Sequence, residues 1–241
     1  MKLGILATGT APEELRAQYG SYADMVEQLF YQTRYSFEYE VFDVRDGIFP
    51  GSAEQCDGWV ITGSKFNVSE GLDWMLHLKQ LILEISATGR PLVGICFGHQ
   101  IIAEAFGGRV AANTQGWGVG LHRYQLTHCP DFMMDSTQSF TISAMHQYEV
   151  SEKPEQAEVL ATSEFCRNAA MFYPNKNILT FQAHPEFNTR YEHDLIELRR
   201  SNPIPAETAD AGLATLRQSD AATDSIQVAR WMGAFLSDCA A

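Results

Sequence analysis

One thiol in this chain stands in a setting suited to reaction. In Gly94-Ile95-Cys96-Phe97-Gly98 a cysteine closes the apolar run "PLVGIC", with a glycine two residues to either side. This is the pattern of a strand–turn–helix elbow, whose sharp turn leaves no room for a Cβ at the flanking positions and lifts the central side chain above the sheet. The "HQIIAEAFGG" that follows reads as a short apolar helix closed by glycine. The thiol would then lie at a helix N-terminus, where the dipole favours thiolate. The backbone N–H of Phe97 would face the same space and could serve an oxyanion. Taken alone, the same letters also fit a buried cysteine that merely ends a strand, since free cysteine is among the most buried residue types.

A thiol nucleophile needs a base. Among the seven histidines, His77 falls in an amphipathic stretch, His193 in a charged one and His128 beside Cys129-Pro130, all surface-like settings. His184 differs, because "ILTFQAHPEF" is an apolar strand that ends at His184-Pro185-Glu186. Proline holds the preceding histidine extended and stops the strand. Residues two apart in extended chain point the same way, which sets the Glu186 carboxylate beside the imidazole. An acid there would fix the ring tautomer and stabilise the imidazolium. Cys96, His184 and Glu186 thus supply a nucleophile, a base and an orienting acid at the ends of two apolar strands.

The surrounding pattern says what must hold these residues. Strand-like runs ("KLGILAT", "FEYEVFDV", "DGWVITGS", "RPLVGIC") alternate with helix-like ones. The segment 11–33 reads as one amphipathic helix, and "LDWMLHLKQLILEIS" carries Leu72, Met75, Leu78, Ile82 and Ile85 at helical spacing. In "FEYEVFDV", Phe37, Tyr39 and Val41 alternate with Glu38, Glu40 and Phe42. Such alternation predicts a parallel sheet with helices on both faces. From Thr114 to Phe181 short strands follow one another, an antiparallel or mixed extension of the sheet. Beyond it come a helix at "RYEHDLIELRR", a polar alanine-rich stretch over 201–225, and a last helix, "IQVARWMGAFLS", with Val228, Met232 and Phe235 on one face.

Bulk properties exclude several classes. The chain has 241 residues, 45% hydrophobic and 20% charged, with a formal net charge of −13. That balance argues against nucleic acid or an anionic membrane as partner. The N-terminus lacks a signal-peptide core, and no run approaches the ~20 apolar residues of a membrane span. The five cysteines, Cys56, Cys96, Cys129, Cys166 and Cys239, are scattered and form no paired motif. Neither a disulfide framework nor a metal site is expected, and the chain reads as cytoplasmic.

With "GICFGHQ" and "HPEF" in hand, the chain resembles the class I glutamine amidotransferases of the Cys-His-Glu type, nearest the glutaminase domain of GMP synthase. The resemblance runs from "LGILATG" through "HPEF". It implies a flavodoxin-like three-layer α/β/α sandwich over 1–200, followed by a C-terminal helical extension, 201–241, packed on the same domain. It implies attack by Cys96 on a γ-glutamyl amide, release of ammonia, and hydrolysis of a γ-glutamyl thioester, without a cofactor or metal. By position, "ITGSKFNVSE" would supply the second oxyanion donor from Gly63 or Ser64, beside Phe97. Gln100 would lie near the substrate, Gly116, Trp117 and Gly118 would hold its α-amino and carboxyl groups, and His146 matches a histidine of the family. The sequence departs from the usual pattern at Lys65, Met145, Gln147, Glu149 and Ala183, all around the substrate site.

No synthetase domain follows "HPEF" in this sequence, so ammonia would have no acceptor on the same chain. The resemblance implies a glutamine amidohydrolase that acts alone or with a separate synthetase partner. The alternative of a γ-glutamyl peptidase acting on glutathione-like compounds shares the mechanism and differs in room for the leaving group. A silent binding or regulatory protein of this fold is the reading from another class, and the intact triad opposes it. Self-association is left open.

Overall fold

The computed structural model describes residues 1–133, 137–218 and 222–238. Cys239 and residues 219–221 of the alanine-rich stretch lie outside them. In chain order the strands are β1 (Lys2–Ala7), β2 (Glu38–Asp43), β3 (Gly58–Ile61), β4 (Leu92–Ile95), β5 (Arg109–Ala112), β6 (Gly118–Leu126), β7 (Ser139–His146), β8 (Tyr148–Glu152), β9 (Glu158–Thr162), β10 (Ala170–Tyr173) and β11 (Ile178–Phe181). The helices are α1 (Glu13–Tyr19), α2 (Tyr22–Tyr31), α3 (Asp73–Thr88), α4 (Phe97–Ala105), α5 (Thr189–Arg199), α6 (Ala206–Leu216) and α7 (Ser225–Asp238).

Nine strands form one sheet in the order β2-β1-β3-β4-β11-β10-β9-β6-β7. The first five are mutually parallel and the rest are joined antiparallel. This is the flavodoxin-like sandwich with its antiparallel extension. The parallel strands are apolar on both faces because both are covered. On one face Leu3, Ile5, Val60, Val93 and Ile95 pack under α2 and α7. On the other, Leu6, Trp59, Ile61 and Leu92 pack under α3 and α4. Each such side chain contributes about 1.5–3 kcal/mol on burial. Val228, Trp231, Met232 and Phe235 of α7 lie in the first of these clusters.

Several local readings need correction. The helix expected over 11–33 is two helices, because Gly20 turns to φ 76° and Ser21 starts α2 afresh. The Ser21 hydroxyl accepts from the Asp24 N–H at 3.1 Å, and the Asp24 carboxylate accepts from the Ser21 N–H at 2.7 Å. That reciprocal capping outweighs the continuous apolar stripe. In β2, an edge strand, Val41 is exposed and Phe42 buried. The sequence pattern predicts neither the small β5–β8 ladder nor α6. The alternation in β5 and β8 is weak, and alanine masks the apolar face of α6. Strand β11 stops at Phe181, so His184 stands three residues past the strand end.

The segment after β11 is held from the far side of the sheet. The His184 N–H donates to the Ser143 carbonyl at 2.8 Å, although Ser143 belongs to β7, the edge strand four places from β11 in the strand order. The antiparallel half therefore curls back on the parallel half. Glu192 of α5 secures this region from outside, fully buried, with its Oε1 accepting from the Gly120 N–H of β6 at 3.0 Å. Its Oε2 has no partner, and burial pushes the carboxyl up to about 8. Between the ordinary value of 4.5 and about 8 the folded chain keeps a proton there that the unfolded chain has released. Stability from this group is thus lost as pH rises through that window. Glu192→Gln, which carries no charge, should lose less melting temperature than the native protein between the two ends of the window. An equal loss in both proteins would assign the pH dependence elsewhere.

Candidate active site

The site begins at the turn from β4 to α4. The Cys96 N–H donates to the Phe181 carbonyl at 2.8 Å, continuing the β4–β11 pairing by one residue. The backbone then bends to φ 53°, ψ −100° at Cys96, and α4 starts at Phe97. A non-glycine residue at positive φ is strained, and such strain gathers at functional turns. The glycines on either side are needed for close approach. A Cβ on Gly98 would stand 2.5 Å from the Ile61 carbonyl oxygen, and one on Gly94 2.8 Å from the Gly98 backbone.

Across from the thiol, His184 Nδ1 and Glu186 Oε1 lie 2.8 Å apart, both residues buried. Phe187 stacks on the imidazole with centroids 4.0 Å apart, fixing the ring plane. Burial works against charge on this ring. The Glu186 carboxylate and the Cys96 sulfur, acting by charge and hydrogen bonding, outweigh it and hold His184 well above the ordinary histidine value. With Nδ1 engaged by Glu186, Nε2 is the nitrogen left for the thiol. Gly63 closes the third side: a Cβ there would stand 2.8 Å from His184 Cε1 and 3.7 Å from the Cys96 Cβ.

The Gly63–Ser64 turn is tied to the end of β1. Thr8 Oγ1 donates to the Thr62 carbonyl at 2.7 Å, and Ser64 Oγ donates to the Thr8 carbonyl at 2.6 Å. Thr8 is therefore a support that sequence reasoning missed, and only the parallel neighbouring of β1 and β3 reveals it.

A cleft of about 330 Å³ reaches Cys96. Ser64, Gln100, Trp117 and His146 line it, as do Lys65, Met145, Gln147, Tyr148 and Arg199. Gly116 and Gly118 flank Trp117 but do not line the cleft. Gly116 is a positive-φ turn, and Gly118 pairs with His146 across β6 and β7. The Phe97 ring is buried against Trp74, leaving only its backbone toward the turn. Gln100 stands at the cleft wall with its amide already engaged, donating to the Tyr148 carbonyl at 2.9 Å and to Gln182 Oε1 at 3.1 Å. The His146 ring donates through Nδ1 to the same carbonyl at 3.0 Å, while its Nε2 is buried and unpartnered. Burial pushes His146 down to about 3, so Nε2 carries a lone pair. Arg199, Gln182 and Thr8 were not among the sequence candidates. Among the described residues, no group of three or more acidic, histidine or cysteine side chains is arranged to hold a metal, and the four cysteines there are free. No helix of the described residues is long and apolar enough to cross a membrane.

An elbow thiol facing a histidine–glutamate pair is an arrangement suited to acyl transfer. The family model of glutamine amidotransferase class-I matches residues 17–199. The chain belongs to this family. Among its relatives is the Saccharomyces cerevisiae protein YLR126C, which bears the provisional name of a glutamine amidotransferase. It is 35% identical over 202 residues, 78% of this chain and 79% of that protein. Gamma-glutamyl peptidase 4 of Arabidopsis thaliana is 32% identical over 192 residues, 76% of each chain. The glutamine-hydrolyzing GMP synthase subunit of Methanothermobacter thermautotrophicus is 34% identical over a shorter 108 residues, 44% of this chain and 58% of that one. In fold, a glutamine amidotransferase from Thermotoga maritima superposes with a TM-score of 0.74 at 19% identity, covering 99% of this chain and 98% of the other.

The buried His184–Glu186 pair yields a direct test. Removing the carboxylate leaves burial as the leading influence on the ring, and burial lowers it. In Glu186→Gln, imidazole NMR signals should show His184 neutral at a pH where the native ring is still protonated. Unchanged titration would deny Glu186 its hold on the ring.

Proposed function

We propose that the protein hydrolyses a γ-glutamyl amide bond through a γ-glutamyl thioester on Cys96. The observation that carries this reading is the buried His184–Glu186 pair, 2.8 Å apart, turned toward an elbow thiol at the base of a cleft. His184 accepts the thiol proton, and Cys96 attacks the side-chain carbonyl. The N–H of Phe97 and that of Gly63 or Ser64 receive the oxyanion, which such donors stabilise because they are already oriented. His184 then delivers its proton to the departing amine. Water, activated by the same ring, releases glutamate. Glu186 orients the imidazole and takes no part in bond making.

On the substrate side, Trp117 and the unpartnered lone pair of His146 Nε2 receive the glutamyl head, the latter as an acceptor for its ammonium group. Gln100 contributes the wall and does not offer its amide, which is spent on Tyr148 and Gln182. Glutamine satisfies the chemistry. The cleft favours a γ-glutamyl peptide, because Lys65 and Arg199 line it with no acidic residue among the lining, in a chain of net charge −13. Two cations in the cleft that reaches the thiol suit a leaving group that ends in a carboxylate. Relatives named gamma-glutamyl peptidase align over about three quarters of both chains, which supports the same preference.

The second reading, a glutaminase that hands ammonia to a separate synthetase partner, is favoured by the relatives named as glutamine-hydrolyzing GMP synthase subunits. Glutamate release from glutamine and from γ-glutamyl-cysteinyl-glycine distinguishes them. The expected result is a higher kcat/KM for the peptide, with Arg199→Gln raising KM for the peptide several-fold and leaving glutamine turnover unchanged. Turnover of glutamine alone, insensitive to Arg199, would favour the synthetase-coupled reading. Cys96→Ser should lower release from either substrate by ~10³-fold or more while keeping the fold. Retained activity in that variant would overturn the covalent route.

A further inference from the structure

Gln182, fully buried between β11 and His184, has no role in the mechanism above. Its side chain nevertheless reaches the reacting atom: Nε2 lies 3.8 Å from the Cys96 Sγ, within the longer reach of a hydrogen bond to sulfur. We propose that Gln182 is a thiolate-stabilising residue, whose amide is held with its N–H toward Cys96 by a relay through Gln100 to the Tyr148 carbonyl.

The orientation follows from donor and acceptor chemistry alone. The Tyr148 carbonyl can only accept, so Gln100 must present its NH₂ group there, at 2.9 Å. The second hydrogen of that NH₂ points to Gln182 Oε1, at 3.1 Å. An amide whose oxygen is thus engaged turns its own NH₂ the other way, and the other way is the sulfur. A backbone carbonyl of β8 therefore fixes, through two side-chain amides, which end of Gln182 the thiol meets. The backbone at both ends of Gln182 is also held. Its N–H donates to the Ala169 carbonyl at 2.8 Å, and the Phe181 carbonyl just before it accepts from the Cys96 N–H at 2.8 Å. The backbone that carries the amide cannot drift from Cys96 without breaking these strand hydrogen bonds, and the Gln100 contact holds the amide itself.

A neutral donor at this point serves two ends. It stabilises the negative sulfur together with the imidazolium of His184. It also restrains the Sγ rotamer, so that the sulfur stays beneath the carbonyl it is to attack. Hydrogen bonds to charged groups are about twice as strong as neutral ones, so the donor favours thiolate over thiol.

The inference rests on Cys96 as the reacting group and needs no substrate, so its test is separate from the question of what is hydrolysed. In Gln182→Met, similar in length but without a donor, ultraviolet thiolate absorbance at neutral pH should fall. The rate of Cys96 alkylation by iodoacetamide should fall with it, by ~10-fold. Gln100→Met, which frees Gln182 to turn its oxygen to the sulfur, should give a smaller loss in the same direction. If Gln182→Met proves unfolded by circular dichroism, Gln182→Glu, which still accepts from Gln100 but offers the sulfur no N–H, takes its place with the same expected loss. Native alkylation and absorbance in a folded Gln182 variant would overturn the proposal. Loss on Gln182 substitution with none in Gln100→Met would overturn the relay.

Discussion

The site depends on how closely the backbone of β3 and the start of α4 are allowed to approach. Gly98 lies so near the Ile61 carbonyl that any side chain there would collide with the neighbouring strand, and a side chain on Gly94 would collide with the Gly98 backbone. Only with both positions bare can the chain leave β4, bend through an unfavourable conformation at Cys96 and enter a helix within one residue. That bend costs on the order of 1–3 kcal/mol. It is held by strand pairing on one side, through the Cys96–Phe181 hydrogen bond, and by the apolar packing of Ile101 and Ile102 on the other. The strain is the means by which a buried strand end presents a thiol to a cleft.

Charge placement follows from that geometry. His184 and Glu186 are both buried, a costly position for either alone. On the imidazole, the Glu186 carboxylate and the Cys96 sulfur together outweigh the effect of burial. Around them two further buried groups are kept neutral by burial: His146 pushed down, Glu192 pushed up. Among these buried groups the site keeps one separation of charge, while Lys65 and Arg199 line the cleft as cations. The Tyr148 carbonyl extends this control to the uncharged groups, since it accepts from both His146 and Gln100 and so sets the orientation of each.

Much of this was legible in the letters because it depends on local chemistry. The elbow glycines, the period-two apolar runs and the proline that holds His184 extended are short-range rules, and the parallel sheet and the 2.8 Å His184–Glu186 contact follow them. Where competing local signals met, the apolar pattern misled. The stripe over 11–33 hid the Ser21–Asp24 capping box, and Phe42 of an edge strand turned inward where Val41 was expected to. The substrate loop was legible only in outline, since Trp117 reaches the cleft and its two glycines do not.

By itself, then, the sequence determined the alternation of strand and helical segments in the parallel half, the thiol at the elbow, and the pairing of base and acid two residues apart. Those features arise between residues close in the chain, where steric and periodic rules have nothing to compete with. The tertiary structure alone decided that β7 returns to hold His184 through Ser143, that Thr8 ties the Gly63–Ser64 turn, that Arg199 enters the cleft from α5, and that Gln182 faces the sulfur. Each of these joins residues far apart in the chain through the curl of the sheet. Hydrogen-bond capacity and charge say what such residues can do, but only the packing of the strands says whom they meet.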